Sequence, residues 1–319
     1  MAVYTKIPRK DAVAIAKAWR LGAVESFEGI AKGSVNTNYR LVTERGTFFV
    51  RLDETRTREQ VEHEADLVAF LAGKGFPTPE PLVDARGARV RELLGKPLQV
   101  YPWTKGEDYP AEEYDRAHLA EAGRALARLH HAAKEFPATL PNRFGLVATS
   151  ARWARIRKKA KIPAGDRAEI DAAVAESSRE PAPPGPRGIV HGDWFADNLL
   201  FEEGRIVGVL DFEAAATDHL TFDVATAVNA LCWKPSTPDR FDPRRVDALV
   251  DGYAKGKGPA ALDSAALSFW LRASALRFTV TRVQDFRLRT SALRVEKDYR
   301  DFLRRLRFWS TPARRRAAR

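Results

Sequence analysis

The sequence predicts an α+β chain in two parts, a small antiparallel sheet carrying one helix and then a larger, mainly helical region. Strand-like runs separated by tight turns crowd into the residues up to Tyr101. Apolar residues at helical spacing dominate from Glu112 onward. One late stretch, 189–213, interrupts the helices with a polar loop and a short hairpin. The expected boundary lies between Trp103 and Thr104, giving parts 1–103 and 104–319.

Residues 11–20 read as a first short helix, with Asp11 as N-cap and Ala12, Ile15, Ala16 and Trp19 on one face. Residues 27–52 read as strand, glycine loop, strand, tight turn and strand. The loop holds Gly29, Gly33, Ser34 and Asn36, small and amide-bearing residues that let backbone N–H groups approach phosphates. Taken alone, it fits a flexible hairpin loop as well. A helix over 58–72 puts Val61, Ala65, Val68 and Ala72 on one face, and Glu64 falls among them. A carboxylate on a burying face needs a cation or strong donors. The strand 48–52 offers Arg51, and an exposed surface pair is the plainer alternative. Two more strands are expected over 88–93 and 97–101. The second runs into Pro102-Trp103-Thr104-Lys105-Gly106, a hinge where backbone groups from Gln99 to Tyr101 would meet an adenine ring.

Beyond the hinge, 112–133 places Leu119, Ala122, Leu126 and Leu129 at helical spacing. His130 continues that face as a packed, hydrogen-bonded histidine, whereas His118 and His131 read as surface positions. The proline-rich 181–186 is a stiff loop. A helix over 219–233 contains Asp223 in F-D-V-A. Asp242-Pro243 pairs an N-cap with a first-turn proline, Asp263 opens a long helix to about Phe286, and a last helix ends near Trp309.

The stretch 189–213 carries the chemistry. It reads I-V-H-G-D-W-F-A-D-N-L-L-F, then a turn at Glu202-Glu203-Gly204, then a second short strand ending in D-F-E. Four residues separate Asp193 from Asn198, and a hairpin returns Asp211 beside Asn198 across thirteen positions. An amide oxygen and a carboxylate are the hard donors that Mg²⁺ prefers when it bridges the phosphates of a nucleotide. Asp193 is then left to accept the proton of an acceptor hydroxyl. The bland alternative is a polar loop before an ordinary hairpin.

Composition limits the rest. With 319 residues, 45% of them hydrophobic, the chain can bury the core of two lobes. The single cysteine, Cys232, fits a reducing, cytoplasmic setting. No apolar run approaches the roughly 20 residues of a membrane span. The net charge is +11, but its basic residues are dispersed, and the two local runs, 152–161 and 314–319, carry none of the aromatic interleaving of a nucleic-acid surface beyond Trp153. They read as solvated faces, so neither a nucleic acid nor a membrane is an expected partner.

The spacing H-x-D-x₄-N followed by D-F resembles the catalytic and metal loops of the protein-kinase superfamily, with Gly192 where an arginine is usual and Glu213 where a glycine is usual. The H-G-D form resembles its aminoglycoside-phosphotransferase-like branch. The whole chain is similar to the homoserine kinases of that type, through M-A-V-Y-T, F-E-G-I-A-K-G-S-V-N-T-N-Y, G-F-P-T-P-E-P-L, H-G-D-W-F-A-D-N-L-L-F, F-D-V-A-T-A-V-N-A-L-C-W and A-L-R-F-T-V-T-R-V-Q-D-F. The resemblance implies a bilobal protein-kinase-like fold, ATP and Mg²⁺ as cofactors, and L-homoserine as the small-molecule substrate. It implies Asp193 as catalytic base, Asn198 and Asp211 as metal ligands, and Gly33, Ser34, Asn36, Arg51, Glu64 and Tyr101 at the nucleotide. Arg51 departs from the superfamily's lysine, as does the charged segment 53–58 from its usual sequence. Asp223 would brace the catalytic-loop backbone. For the acceptor's carboxylate the expected partners are Arg277 or Arg282, and for its ammonium Glu213, Asp218 or Asp285. The alternatives are another small alcohol as acceptor (an amino alcohol, a sugar or an aminoglycoside) and a non-catalytic nucleotide-binding protein of the same fold.

Overall fold

A computed structural model describes residues 5–31, 35–233, 241–259, 262–285 and 297–311. Gly33, Ser34, Phe286 and the tail 314–319 lie outside the described residues. The chain forms two compact units, one running up to Lys105 and the other from Gly106 onward.

The first unit opens with α1 (Arg9–Ala18). Its N-cap is Pro8, not Asp11, which instead sits in the first turn, where a carboxylate complements the exposed N–H groups. Five strands then build one antiparallel sheet in the order β1-β2-β3-β5-β4. They are β1 (Val24–Gly29), β2 (Thr37–Thr43), β3 (Gly46–Leu52), β4 (Arg91–Leu93) and β5 (Lys96–Pro102). Residues 88–90 do not extend β4, because the Asp84 carboxylate accepts from the N–H groups of Arg86 at 2.7 Å and Ala88 at 2.9 Å and fixes a turn there. Alternate residues of β2, Tyr39 and Leu41, join Val50, Leu52, Leu98 and Val100, the α1 residues Ile15 and Ala16, and Trp19 just after that helix in one core. α2 (Arg58–Gly73) starts at a capping box of Thr57 and Gln60 and buries Val61, Glu64, Ala65, Leu67, Val68 and Leu71.

The second unit is mainly helical. α3 (Arg116–Ala132) is capped by Asp115, four residues later than the periodicity implies, because 111–113 forms a separate single turn. α4 (Leu146–Ile156) and α5 (Ala164–Arg179) fill the region that the sequence left undivided. Two short antiparallel pairs follow. β6 (Arg187–Val190) pairs with β9 (Ala216–His219), and β7 (Leu199–Glu202) pairs with β8 (Arg205–Val209). α6 (Leu220–Leu231), α7 (Pro243–Lys255), α8 (Ser264–Val283) and α9 (Arg300–Ser310) complete it. Asp242 and Asp263 cap α7 and α8 as their positions before the apolar runs suggest.

α3 and α7 meet at small residues. A Cβ on Gly252 would stand 2.1 Å from the carbonyl oxygen of Ala120, a distance that only glycine permits. His118 is half-buried rather than on the surface. Its ring packs 5.1 Å from that of Phe201 and 5.7 Å from that of Tyr114, held by a 2.8 Å bond from Nδ1 to Asp115. His130 is buried, as its place on the apolar face implies, between Tyr253 at 2.8 Å and Asp223 at 3.2 Å.

Candidate active site

In the first unit the carboxylate of Glu64 meets two arginines. Arg56 approaches it at 2.5 Å and Arg51 at 3.6 Å, and Arg56 also pairs with Asp53 at 2.6 Å. All four side chains are buried. Burial alone would raise the Asp53 carboxyl, but the charges of Arg56 and Arg51 hold it below its ordinary value. Arg51 and Glu64 therefore come together as expected, inside a network whose Arg56 and Asp53 were not anticipated. The signal for them was the charge-dense 53–58 lying between a strand and a burying helix face. Asn36 is buried and its Oδ1 accepts from the N–H of Glu54 at 3.2 Å. Tyr101 is buried on β5 opposite Phe49 of β3.

In the second unit the polar loop between β6 and β7 holds His191, Gly192 and Asp193. Asp223, in the first turn of α6, accepts from the N–H of His191 at 2.7 Å and of Gly192 at 2.9 Å. Burial opposes its charge, but the bond and charge of His130, the His191 ring and the Gly192 N–H together keep its carboxyl below its ordinary value. The carbonyl of Gly192 accepts from Nη1 of Arg277 on α8. Gly192 has φ +75°, and a Cβ there would come within 2.6 Å of the carbonyl oxygen of Ala214. That peptide is thus held at its N–H, its carbonyl and its α-carbon, which explains why no arginine stands at this position.

His191 joins the loop to the following hairpin. Its Nδ1 accepts from the N–H of Asp193 at 3.2 Å, which puts the ring proton on Nε2, donating to the Leu210 carbonyl at 3.0 Å. The Leu210 N–H in turn donates to the Asn198 carbonyl at 2.9 Å, so Asp211 lies next to Asn198 at the open end of the hairpin. Asp211 adopts a left-handed backbone, φ 61°, which aspartate tolerates better than most residues. The Asn198 amide nitrogen donates to the Asp193 carbonyl at 2.8 Å, which directs its hydrogens inward and leaves Oδ1 as an acceptor. That oxygen and the Asp211 carboxylate are hard donors, the kind that Mg²⁺ takes. Asp193 is partly exposed but surrounded closely. Desolvation lifts its carboxyl above the ordinary value, Arg277 and Lys297 oppose the rise, and the neighbouring Asp211 and Asp197 charges add to it.

The remaining expected residues are spread around this loop. Glu213 follows the hairpin, and its carbonyl accepts from Nη2 of Arg143 at 2.7 Å. Asp218 on β9 accepts from the amide of Asn142 and lies 3.8 Å from Arg187. Arg277 is buried, while Arg282 donates to the Asp298 carbonyl at 3.0 Å and reaches Asp301 at 3.4 Å. Asp285 lies just past the end of α8. The loop Asn142-Arg143-Phe144 was not anticipated at all. It docks through a reciprocal pair between Leu140 and Thr217, which are far apart in sequence.

A family model described as the phosphotransferase enzyme family matches residues 26–265. The chain belongs to that family. This phosphotransferase is 33% identical over 311 residues to a homoserine kinase of Mesorhizobium japonicum, covering 97% of this chain and 96% of the relative. It is 34% identical over 313 residues to a homoserine kinase of Methylobacterium radiotolerans, covering 97% and 96%. Its fold is similar to that of an amicoumacin kinase in complex with AMP-PNP, Ca²⁺ and Ami, with a TM-score of 0.73 at 17% identity, covering 95% of this chain and 92% of that one. A choline/ethanolamine kinase family protein from Mesorhizobium loti gives 0.68 at 19%, covering 97% and 98%. The phosphotransferase is therefore an α+β protein of the bilobal kinase-like fold, and ATP is the phosphoryl donor that its family implies. No helix among the described residues is long and apolar enough to cross a membrane.

Proposed function

We propose that the protein is a MgATP-dependent kinase of L-homoserine, giving O-phospho-L-homoserine. The first unit binds the nucleotide, with Asn36, Arg51, Glu64 and Tyr101 among its contacts and Gly33 and Ser34 as further ones. The second carries catalysis and acceptor binding. Asp193 accepts the hydroxyl proton as the acceptor oxygen bonds to phosphorus and ADP leaves. Asn198 Oδ1 and the Asp211 carboxylate hold Mg²⁺, which when bound neutralises charge on the phosphates. His191 and Asp223 keep the loop in place and take no proton from substrate. Arg277 or Arg282 receives the acceptor's carboxylate, and Glu213, Asp218 or Asp285 its ammonium. The substrate is a small molecule rather than a nucleic acid or a membrane, and the single buried Cys232 suits a cytoplasmic setting.

One observation supports the acceptor above all: the relatives named homoserine kinase match at 33–34% identity over 97% of this chain. ADP release against hydroxylated amino acids, amino alcohols, sugars and aminoglycosides tests it. L-Homoserine should surpass L-serine, whose hydroxyl is one carbon short, since a misplacement of about an ångström costs on the order of 10² in rate. It should also surpass homoserine lactone, which lacks the free hydroxyl and carboxylate. Choline, a sugar or an aminoglycoside driving ADP release far better than L-homoserine would leave a kinase with a different substrate.

A further inference from the structure

The stretch that carries the base and the metal ligands is nearly free of positive charge. From 189 to 213 it holds one lysine or arginine, Arg205, which follows the turn at the far end of the hairpin. Phosphoryl transfer spreads negative charge over the three oxygens in flight, and lysine or arginine side chains commonly meet it. The cation must then come from elsewhere in the fold. Lys297, three residues before α9, is placed to supply it. Its Nζ lies 3.1 Å from the Asp197 carboxylate and 5.9 Å from the centroid of the Phe195 ring. Both partners belong to the short arc between Asp193 and Asn198. That arc is tight: the Phe195 N–H donates to the Asp193 carbonyl at 2.8 Å, and the Asn198 N–H to the Phe195 carbonyl at 3.0 Å. The Asn198 amide also comes within 3.4 Å of the Asp193 carboxylate, so base and metal ligand meet at one point. Phe195 is itself fixed, its ring 4.9 Å from that of Phe278 and 5.9 Å from that of Phe302. Burial raises the Asp193 carboxyl, and the charges of Arg277 and then Lys297 oppose that rise, so the ammonium is felt at the base. Arg277 is turned to the Gly192 carbonyl, and Arg282 to Asp298 and Asp301. Lys297 is held more loosely. Its side chain is 37% exposed and that of Asp197 44%, and an ion pair so open to water contributes little.

We propose that Lys297 is a catalytic residue: its ammonium leaves Asp197 and contacts the non-bridging oxygens of the phosphoryl group as that group passes from nucleotide to acceptor. This rests on the reading of Asp193 as base and of Asn198 and Asp211 as metal ligands. In the step itself, the acceptor oxygen bonds to the γ-phosphorus while the bond from that phosphorus to the β–γ bridging oxygen breaks. ADP leaves with the electron pair, and Asp193 takes the hydroxyl proton. Lys297 forms no covalent bond and moves no proton; its N–H groups donate to oxygens whose charge is shifting. A compact ammonium on a flexible stem can follow that shift, whereas the two arginines are already fixed to main-chain carbonyls. Asp197 is the resting partner that keeps the ammonium at the arc between turnovers.

Kinetics on Lys297→Ala, Lys297→Arg and Asp197→Asn, joined to calorimetric titration, test the assignment. Lys297→Ala should lower kcat by about 10²–10³, the usual scale for losing one donor aimed at transition-state charge. Both KM values should stay near wild type, because the contact forms only in the transition state. Lys297→Arg should keep most of the turnover, and added ethylammonium should restore part of it to Lys297→Ala while leaving the wild type unchanged. Asp197→Asn frees the lysine and should cost far less than Lys297→Ala. In titrations with acceptor present, Lys297→Ala should bind MgADP as the wild type does. It should lose the extra affinity that aluminium fluoride, a stand-in for the phosphoryl group in flight, gives the wild-type complex. Near-normal turnover in Lys297→Ala overturns the proposal, as does an unchanged response to aluminium fluoride. So does a loss that neither arginine nor the amine restores, or an equal loss in Asp197→Asn, since Lys297 would then only tie the chain to the loop. All variants are compared on whichever acceptor releases ADP fastest, so a preference for another alcohol overturns the homoserine reading alone. Wild-type turnover in Asp193→Asn overturns the base and leaves the Lys297 comparison standing.

Discussion

Asp193 sits where burial makes its charge costly and where its backbone cannot move. Its N–H is held by His191, its carbonyl by Asn198, and the peptide before it by Asp223 and Arg277. A carboxylate with a raised affinity for protons on a fixed backbone suits the role proposed for Asp193, removing the acceptor's proton during phosphoryl transfer. Asp193→Asn keeps the shape and removes the basicity. Turnover should fall by roughly 10²–10⁴ while nucleotide affinity stays nearly constant, because positioning by the rest of the site survives. Rapid-quench turnover alongside equilibrium titration with a nucleotide analogue separates the two quantities. A variant that turns over at the wild-type rate would remove Asp193 from the chemistry.

The β7–β8 hairpin works as one element because it brings Asn198 and Asp211 to the same end. The carbonyl of the first accepts from the residue just before the second. If they hold one metal, removing either dismantles much of what the other does. Asn198→Ala and Asp211→Ala should each weaken Mg²⁺-nucleotide binding, Asp211→Ala more, since a carboxylate neutralises charge and an amide does not. The double variant should lose clearly less than the sum of the single losses. Strictly additive losses in calorimetric titration would point to separate sites. This hairpin was legible in the sequence because its information is local: a turn at Glu203-Gly204, two short apolar runs, and a spacing that fixes which ends meet. Glu64 was legible for a similar reason, as a charge on an apolar helix face. The Asn142–Phe144 loop was not, because what docks it is a long-range pair with Thr217 and Asp218, and nothing within the loop announces that partner. Asp11 was misplaced by the same limit in reverse: a good capping residue lost to Pro8, whose extended backbone starts the helix earlier.

Among the described residues, the carboxylates displaced by their surroundings fall mostly on one side. Asp53, Glu54, Asp84, Asp115, Asp171 and Asp223 are all held below their ordinary values. A carboxylate depressed in the folded state contributes stability that is complete above its unfolded pKa, near 4, and that is lost as pH falls through the lower folded value. Asp193 has the opposite sign, since its raised value favours folding at low pH and lessens stability once it ionises. Most of the acid-sensitive stability should reside in the buried Asp53, Asp84 and Asp223, because the exposed pairs are screened by solvent. Protonation also adds positive charge to a chain that already carries +11, so self-repulsion grows in the same direction. Denaturant unfolding measured at several pH values should therefore show a plateau near neutrality and a loss of stability that begins near pH 4 and deepens below it. Asp223→Asn should be less stable at pH 7, because an amide cannot accept from both the His191 and Gly192 N–H groups as the carboxylate does. It should also lose less on acidification, because one fewer proton is taken up on unfolding. A wild type equally stable at pH 3 and pH 7, or a variant with an unchanged pH slope, would mean that Asp223 does not hold the catalytic loop as an ionised clamp.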